Sequence, residues 1–127
     1  MTITIIIYWE KCCFKELNEF EDTYFYAVTH GRKLIYIGSS MAENGLYNEV
    51  HHNAKDFGWD RKKITIWPGY VSYKGRITES LIRNVEKLMI YKNQPRDNKY
   101  YKDPYSGMDK LKVINKGCPY LKRIIRQ

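Results

Sequence analysis

"YFYAVTHGRKLIYIG", residues 24–38, decides how this chain folds. Its two halves, "YFYAV" and "KLIYIG", are rich in the aromatic and β-branched residues that suit a half-buried pleated surface. Between them "THGR" supplies a turn in which Gly31 is free to take a positive φ. The stretch therefore reads as a two-stranded antiparallel hairpin.

Beyond Gly38 the chain turns toward a helix, with Ser40 and Glu43 at the capping-box spacing and Asn44-Gly45 delaying its start. Leu46, Val50, Ala54 and Phe57 recur on one face, and Gly58 can close the helix in a left-handed cap. "KITIWPGYVSY", residues 63–73, reads as a further strand broken by Pro68-Gly69, which predicts an edge position or a bulge. A second helix is predicted from Thr78, a capping residue, through the apolar stripe of Leu81, Ile82, Val85, Leu88 and Met89 to a stop at Pro95.

The opening "MTITIIIYW" lacks the basic start and small-residue cleavage site of a signal peptide, and its alternation predicts a strand. Residues 96–127 are polar and turn-rich and are expected to close in a short basic amphipathic helix. These elements predict one small α/β (α+β) domain over residues 1–127: a central antiparallel sheet of about three strands flanked by helices. Its core is expected at 24–98, with an N-terminal extension at 1–23 and a basic C-terminal segment at 99–127.

Composition narrows the class. No apolar run approaches membrane-spanning length, and three cysteines without a CxxC pair support neither a disulfide framework nor a zinc site, so a reducing cytoplasm is expected. The net charge of +8 is unevenly spread: residues 1–60 hold five Lys/Arg against nine Asp/Glu, whereas residues 61–127 hold seventeen against five. A cationic half with interleaved tyrosines suits the phosphate backbone of DNA or RNA, though solvated charge explains the composition equally well. Lys62, Lys63, Lys74, Arg76, Lys99, Lys102, Lys110 and Lys112 are the candidate contacts.

Three residues stand out for chemistry. Tyr26 and Tyr36 occupy the two hairpin strands, where a tyrosine is usually core. Glu86 falls on the flank of the second helix's apolar stripe, at the core's edge, where it is either an ordinary solvated carboxylate or a ligand for a hard cation completed by water and phosphate oxygens. Taken in order, Tyr24-Phe25-Tyr26, then Tyr36-Ile37-Gly38, then Glu86 followed by "LMI", Pro95 and Asn98, the pattern resembles the GIY-YIG endonuclease family, with Tyr-Phe-Tyr where the family more often has Gly-Ile-Tyr.

The resemblance spans residues 24–98 and implies a metal-dependent nuclease that hydrolyses DNA phosphodiesters with one Mg²⁺ or Mn²⁺. It implies Glu86 as the metal ligand, Tyr26 or Tyr36 as the group that orients or deprotonates water, Gly38 as a structural motif residue, and Asn98 as support behind the site. His51 or His52 would correspond to the family histidine. The family's first-helix arginine is absent, because Asn48 and Glu49 stand in its place and no Arg occurs between Gly38 and Arg61. Arg83, Arg76, or Lys55 with His52 would then carry the missing charge, unless catalysis is lost and the fold binds nucleic acid or a protein partner instead. A purely structural module remains the third reading.

Overall fold

The computed structural model describes residues 2–20, 23–40, 45–104 and 110–127. Strand β1 (Thr2–Trp9) and a short 3-10 helix (Phe14–Glu19) precede the hairpin of β2 (Phe25–His30) and β3 (Lys33–Ser39). Helix α1 (Gly45–Phe57), strand β4 (Ile64–Ser72) and helix α2 (Glu79–Asn93) follow, and β5 (Lys110–Lys116) and β6 (Ile124–Arg126) end the chain. The strands form one six-stranded sheet in the order β3-β2-β4-β1-β5-β6.

The hairpin forms where its residues predict it. Gly31 takes φ +62° in the two-residue turn and Arg32 does not, the pattern type II′ turns use. Val28 faces Tyr36 and Thr29 faces Leu34, so Ile35 is a bulge. Thr78 caps α2 by accepting from the Leu81 backbone N–H at 3.1 Å, and α2 ends at Asn93, with Gln94 in the left-handed region just before Pro95. The expected Ser40–Glu43 capping box lies partly outside the described residues.

Three expectations are corrected. The sheet has six strands rather than about three, and it is mixed rather than wholly antiparallel, because β5 runs parallel to β1 in register from Thr2↔Lys110 to Tyr8↔Lys116. The end of the chain is strand, not helix: in "KLKVINK" Leu111, Val113 and Asn115 are buried while Lys110 and Lys116 are exposed, a period of two that a parallel partner completes. Strand β4 is central rather than at an edge, paired with β2 on one side and β1 on the other. Pro68 is accommodated because a strand residue's N and O point the same way. Its O accepts from Glu10 N, just past the end of β1, so the missing donor falls where that ladder is already ending.

Each face of the sheet has its own core. On one, α2 packs Leu88, Met89 and Ile82 against Ile5, Ile7 and Val113, so β1 and β5 belong to the main core rather than to appendages. On the other, α1 and the 3-10 helix bury Tyr26, Val28, Ile66 and Val50. Both helices reach β3, and the site lies there.

Candidate active site at the β3 edge

Tyr36, Asn53, Asp56, Phe57, Glu86 and Lys99 are among the residues lining a cleft of about 250 Å³ between α1, α2 and the segment that follows α2. Tyr36 reaches it from β3, where its ring sits 5.9 Å from that of Tyr26 and 5.5 Å from those of Phe57 and Trp59. Aromatic neighbours on three sides hold the phenol in one orientation.

Tyr26, expected like Tyr36 as a group that could orient or deprotonate water, does not line the cleft. It is fully buried behind Tyr36, and its hydroxyl accepts from Asn53 Nδ2 at 2.6 Å. Gly38 lies directly opposite it, and a Cβ there would come within 2.7 Å of the Tyr26 ring and hydroxyl. The glycine is therefore required by the tyrosine: the ring fills the space a side chain at position 38 would need.

Asn98 holds the strand that carries Tyr36. It is buried, accepts from Ile37 N and donates to Ile37 O, both at 2.9 Å, while Asp97 N donates to Ile35 O at 2.8 Å. The segment after α2 thus covers the open edge of β3. Asn98→Ala strands two backbone groups at once and is expected to cost about 2–3 kcal/mol in urea unfolding. A cost below about 0.5 kcal/mol would mean that water replaces the amide freely.

Glu86 enters the cleft from α2. Burial first, and the Glu49 charge second, push its carboxyl up to about 7, although Ser39 and Arg83 pull the other way. Burial, with Glu86 and Glu49 adding to it, pushes the Tyr36 phenol up to about 12. Burial also raises Tyr26 well above the ordinary range, followed by the effect of Tyr36 and Glu49. Glu49, at the position where the expected arginine is missing, thus adds negative charge to the surroundings of Glu86 and Tyr36.

The other candidates divide. His52 is exposed and pairs with Asp56 at 3.0 Å on the cleft's rim. His51 points to the opposite flank of α1, stacked on Tyr47 at 5.7 Å and 6.0 Å from the Phe14 ring, with Arg61 near its Nε2. Arg83 is exposed and bonded to Glu79 at 3.0 Å, and Arg76 is exposed on the segment before α2. The candidate basic contacts are scattered: Lys62 and Lys63 follow α1, Lys74 and Arg76 follow β4, Lys99 and Lys102 follow α2, and Lys110 and Lys112 lie on β5. Only Lys99 lines the cleft, with its Nζ 5.7 Å from the Phe57 ring centroid.

Asn53, Asp56 and Trp59 are not singled out by the sequence, whereas Lys99 is a candidate phosphate contact there and Phe57 only an apolar helix residue. A signal for some of them was present: Glu49, Asn53 and Asp56 recur at helical spacing on the polar flank of α1. Among the described residues, no group of three or more His, Cys, Asp or Glu is arranged to hold a metal ion, and no helix is long and apolar enough to cross a membrane. The two donors that line the cleft, the Glu86 carboxylate and the Tyr36 hydroxyl, are oxygens, and they fit a hard divalent cation that keeps water and phosphate as its other ligands. Comparison with family models, with curated proteins and with solved structures finds no match to this chain.

Proposed function

We propose that the chain is a metal-dependent phosphodiesterase of the GIY-YIG type, acting on DNA or RNA in the cleft at the β3 edge. The observation that carries this reading is the convergence of Tyr36 and Glu86, from two elements 50 positions apart, on one cleft that Asn98 braces and Tyr26 backs. A bound Mg²⁺ or Mn²⁺ would supply the charge that neutralises a phosphodiester and acidifies water. Glu86 would hold it, with Glu49 as the second carboxylate. Tyr36, kept protonated by its buried setting, orients water rather than deprotonating it. Tyr26 holds Asn53, and through it the wall of the site. Lys99 is the cation placed to meet a phosphate oxygen where the arginine is missing. Cys12 and Cys118 are buried and Cys13 is exposed, a distribution that fits a reducing cytoplasm.

A second reading is favoured by Glu49. A carboxylate in place of an arginine repels phosphate, and a fold that keeps the cleft but binds without cutting would tolerate it. Nicking of supercoiled plasmid, with single-stranded and branched DNA and RNA alongside, separates the two. Cleavage is expected with Mg²⁺ or Mn²⁺ and none with EDTA. Tyr36→Phe should slow turnover at unchanged binding, and Lys99→Ala should weaken both. No cleavage of any substrate would give the binding module first place.

A further inference from the structure

We infer that the open face of β1, β5 and β6 is a platform for single-stranded nucleic acid, separate from the cleft. Among the described residues, the core on this side, under α1 and the 3-10 helix, takes in Tyr26 and Val28 of β2, Ile35 of β3, and Ile64 and Ile66 in the first half of β4. Further along the same side, Tyr8, Lys110, Lys116, Ile124 and Arg126 are exposed, while Ile6, Lys112 and Ile114 are half-buried.

Strand register puts them in rows. Tyr8 lies beside Tyr70 on β4 and Lys116 on β5, and Lys112 lies beside Arg126 on β6. Ile6, Ile114 and Ile124 form an apolar row between them. Tyr8 is 46% exposed and Ile124 51%, although the hydrophobic effect alone would bury both. Lys110, Lys116 and Arg126 are exposed, and the Lys116 ammonium sits 5.7 Å from the Tyr8 ring centroid.

The outward positions of β1, β5 and β6 include no carboxylate: they are Thr, Ile, Tyr, Lys and Arg throughout. Outward strand positions with four cations, an exposed ring and, among the described residues of these strands, no carboxylate are complementary to a polyanion that also offers flat apolar faces. A single strand meets both demands, because its bases are free to stack on Tyr8 while Lys and Arg take the phosphates. A duplex hides its base faces and can use only the charge. Acidic peptides lack the stacking faces, and a membrane surface would favour a larger apolar insertion than this row provides.

The platform also has a useful place. It begins three strands from β3 and is centred on β5, on the order of 19 Å from the cleft edge at the usual strand spacing. A strand bound here is held by the body of the sheet, away from the reacting groups. This inference rests on the reading of the chain as a nucleic-acid protein, but the two can fail separately, because binding here needs neither metal nor Glu86.

Fluorescence anisotropy with labelled oligothymidylate, oligouridylate and a duplex, all in EDTA, tests it. The single strands are expected to bind more tightly than the duplex, with a log–log salt slope of about −3 if all four cations contact phosphate. Tyr8→Ala should weaken single-strand binding about five- to a hundredfold, whereas Tyr8→Phe, which keeps the ring, should bind like the wild type. Lys116→Glu with Arg126→Glu should flatten the salt slope, with Gln at both positions as the replacement if folding by circular dichroism suffers. A preference for one sugar supports the platform and names its strand. Equal binding by wild type, folded Tyr8→Ala and the charge variants, or duplex binding as tight as single-strand binding, would overturn it.

Discussion

Glu86→Gln is expected to lower metal-dependent cleavage by at least about a hundredfold while making the folded protein more stable above neutral pH. The activity loss follows from the role proposed for the carboxylate, since even groups that merely support a metal ligand cost roughly 10- to 100-fold when removed. The stability gain follows from its setting. Burial and the neighbouring Glu49 raise the folded carboxyl from the ordinary 4.5 to about 7. Between those values the folded chain holds a proton that the unfolded chain has released, so stability falls as pH rises through that window. The loss amounts to a few kcal/mol at pH 8, and glutamine, which never ionises, avoids it.

Melting temperatures across pH 4 to 8 check this directly. The wild type should lose stability between about pH 4.5 and 7, and Glu86→Gln should not. Mg²⁺ or Mn²⁺ at pH 8 should recover part of the loss in the wild type alone, because an ion that binds only the folded state raises its stability. An unchanged pH profile in the variant would mean that the carboxyl is better solvated than its place on α2 implies. A variant stabilised at pH 8 whose parent shows neither a metal-dependent shift nor cleavage would make Glu86 a buried acid without a catalytic part.

Gly38→Ala is expected to cost at least about 2 kcal/mol, roughly 8 °C in melting temperature, and to open the cleft. The added methyl meets the Tyr26 ring and hydroxyl at 2.7 Å, and that ring is fully buried. Tyr26 would have to leave Asn53, and Tyr36 would lose the ring stacked behind it. The test is a double-mutant cycle with Tyr26→Ala. On its own Tyr26→Ala leaves a cavity and should cost several kcal/mol, but in that background Gly38→Ala should cost little, giving a coupling of about 1–3 kcal/mol. Simple additivity would place the clash elsewhere.

Much of the site could be read locally. Tyr36, Gly38, Glu86, Pro95 and Asn98 stand at spacings that a hairpin and a capped helix turn into geometry with little help from the rest of the chain. Thr78 as a cap, Gly31 as a turn and the apolar stripe of α2 depend on neighbours within a few residues, and the structure has each of them. Glu49 was legible as a departure at the expected arginine but not as a neighbour of Glu86, because 37 positions separate them and only the packing of α1 and α2 around β3 closes that gap.

What the amino-acid sequence determined by itself is therefore the set of elements whose signals are short-range: the hairpin, the two helices, the caps at Thr78 and Gly58 and the residues on each face. The tertiary structure alone decided the sheet. Whether "KLKVINK" is strand or helix depends on β1 lying alongside it in parallel, a partner more than a hundred residues away in sequence that no local periodicity identifies. Pro68 argues against a central strand until the end of β1 is seen to fall beside it. Tyr26 and Tyr36 look alike in a hairpin, and packing separates them: α1 covers one completely and leaves the other at the cleft, because burial is a property of what the whole chain places on top of a residue.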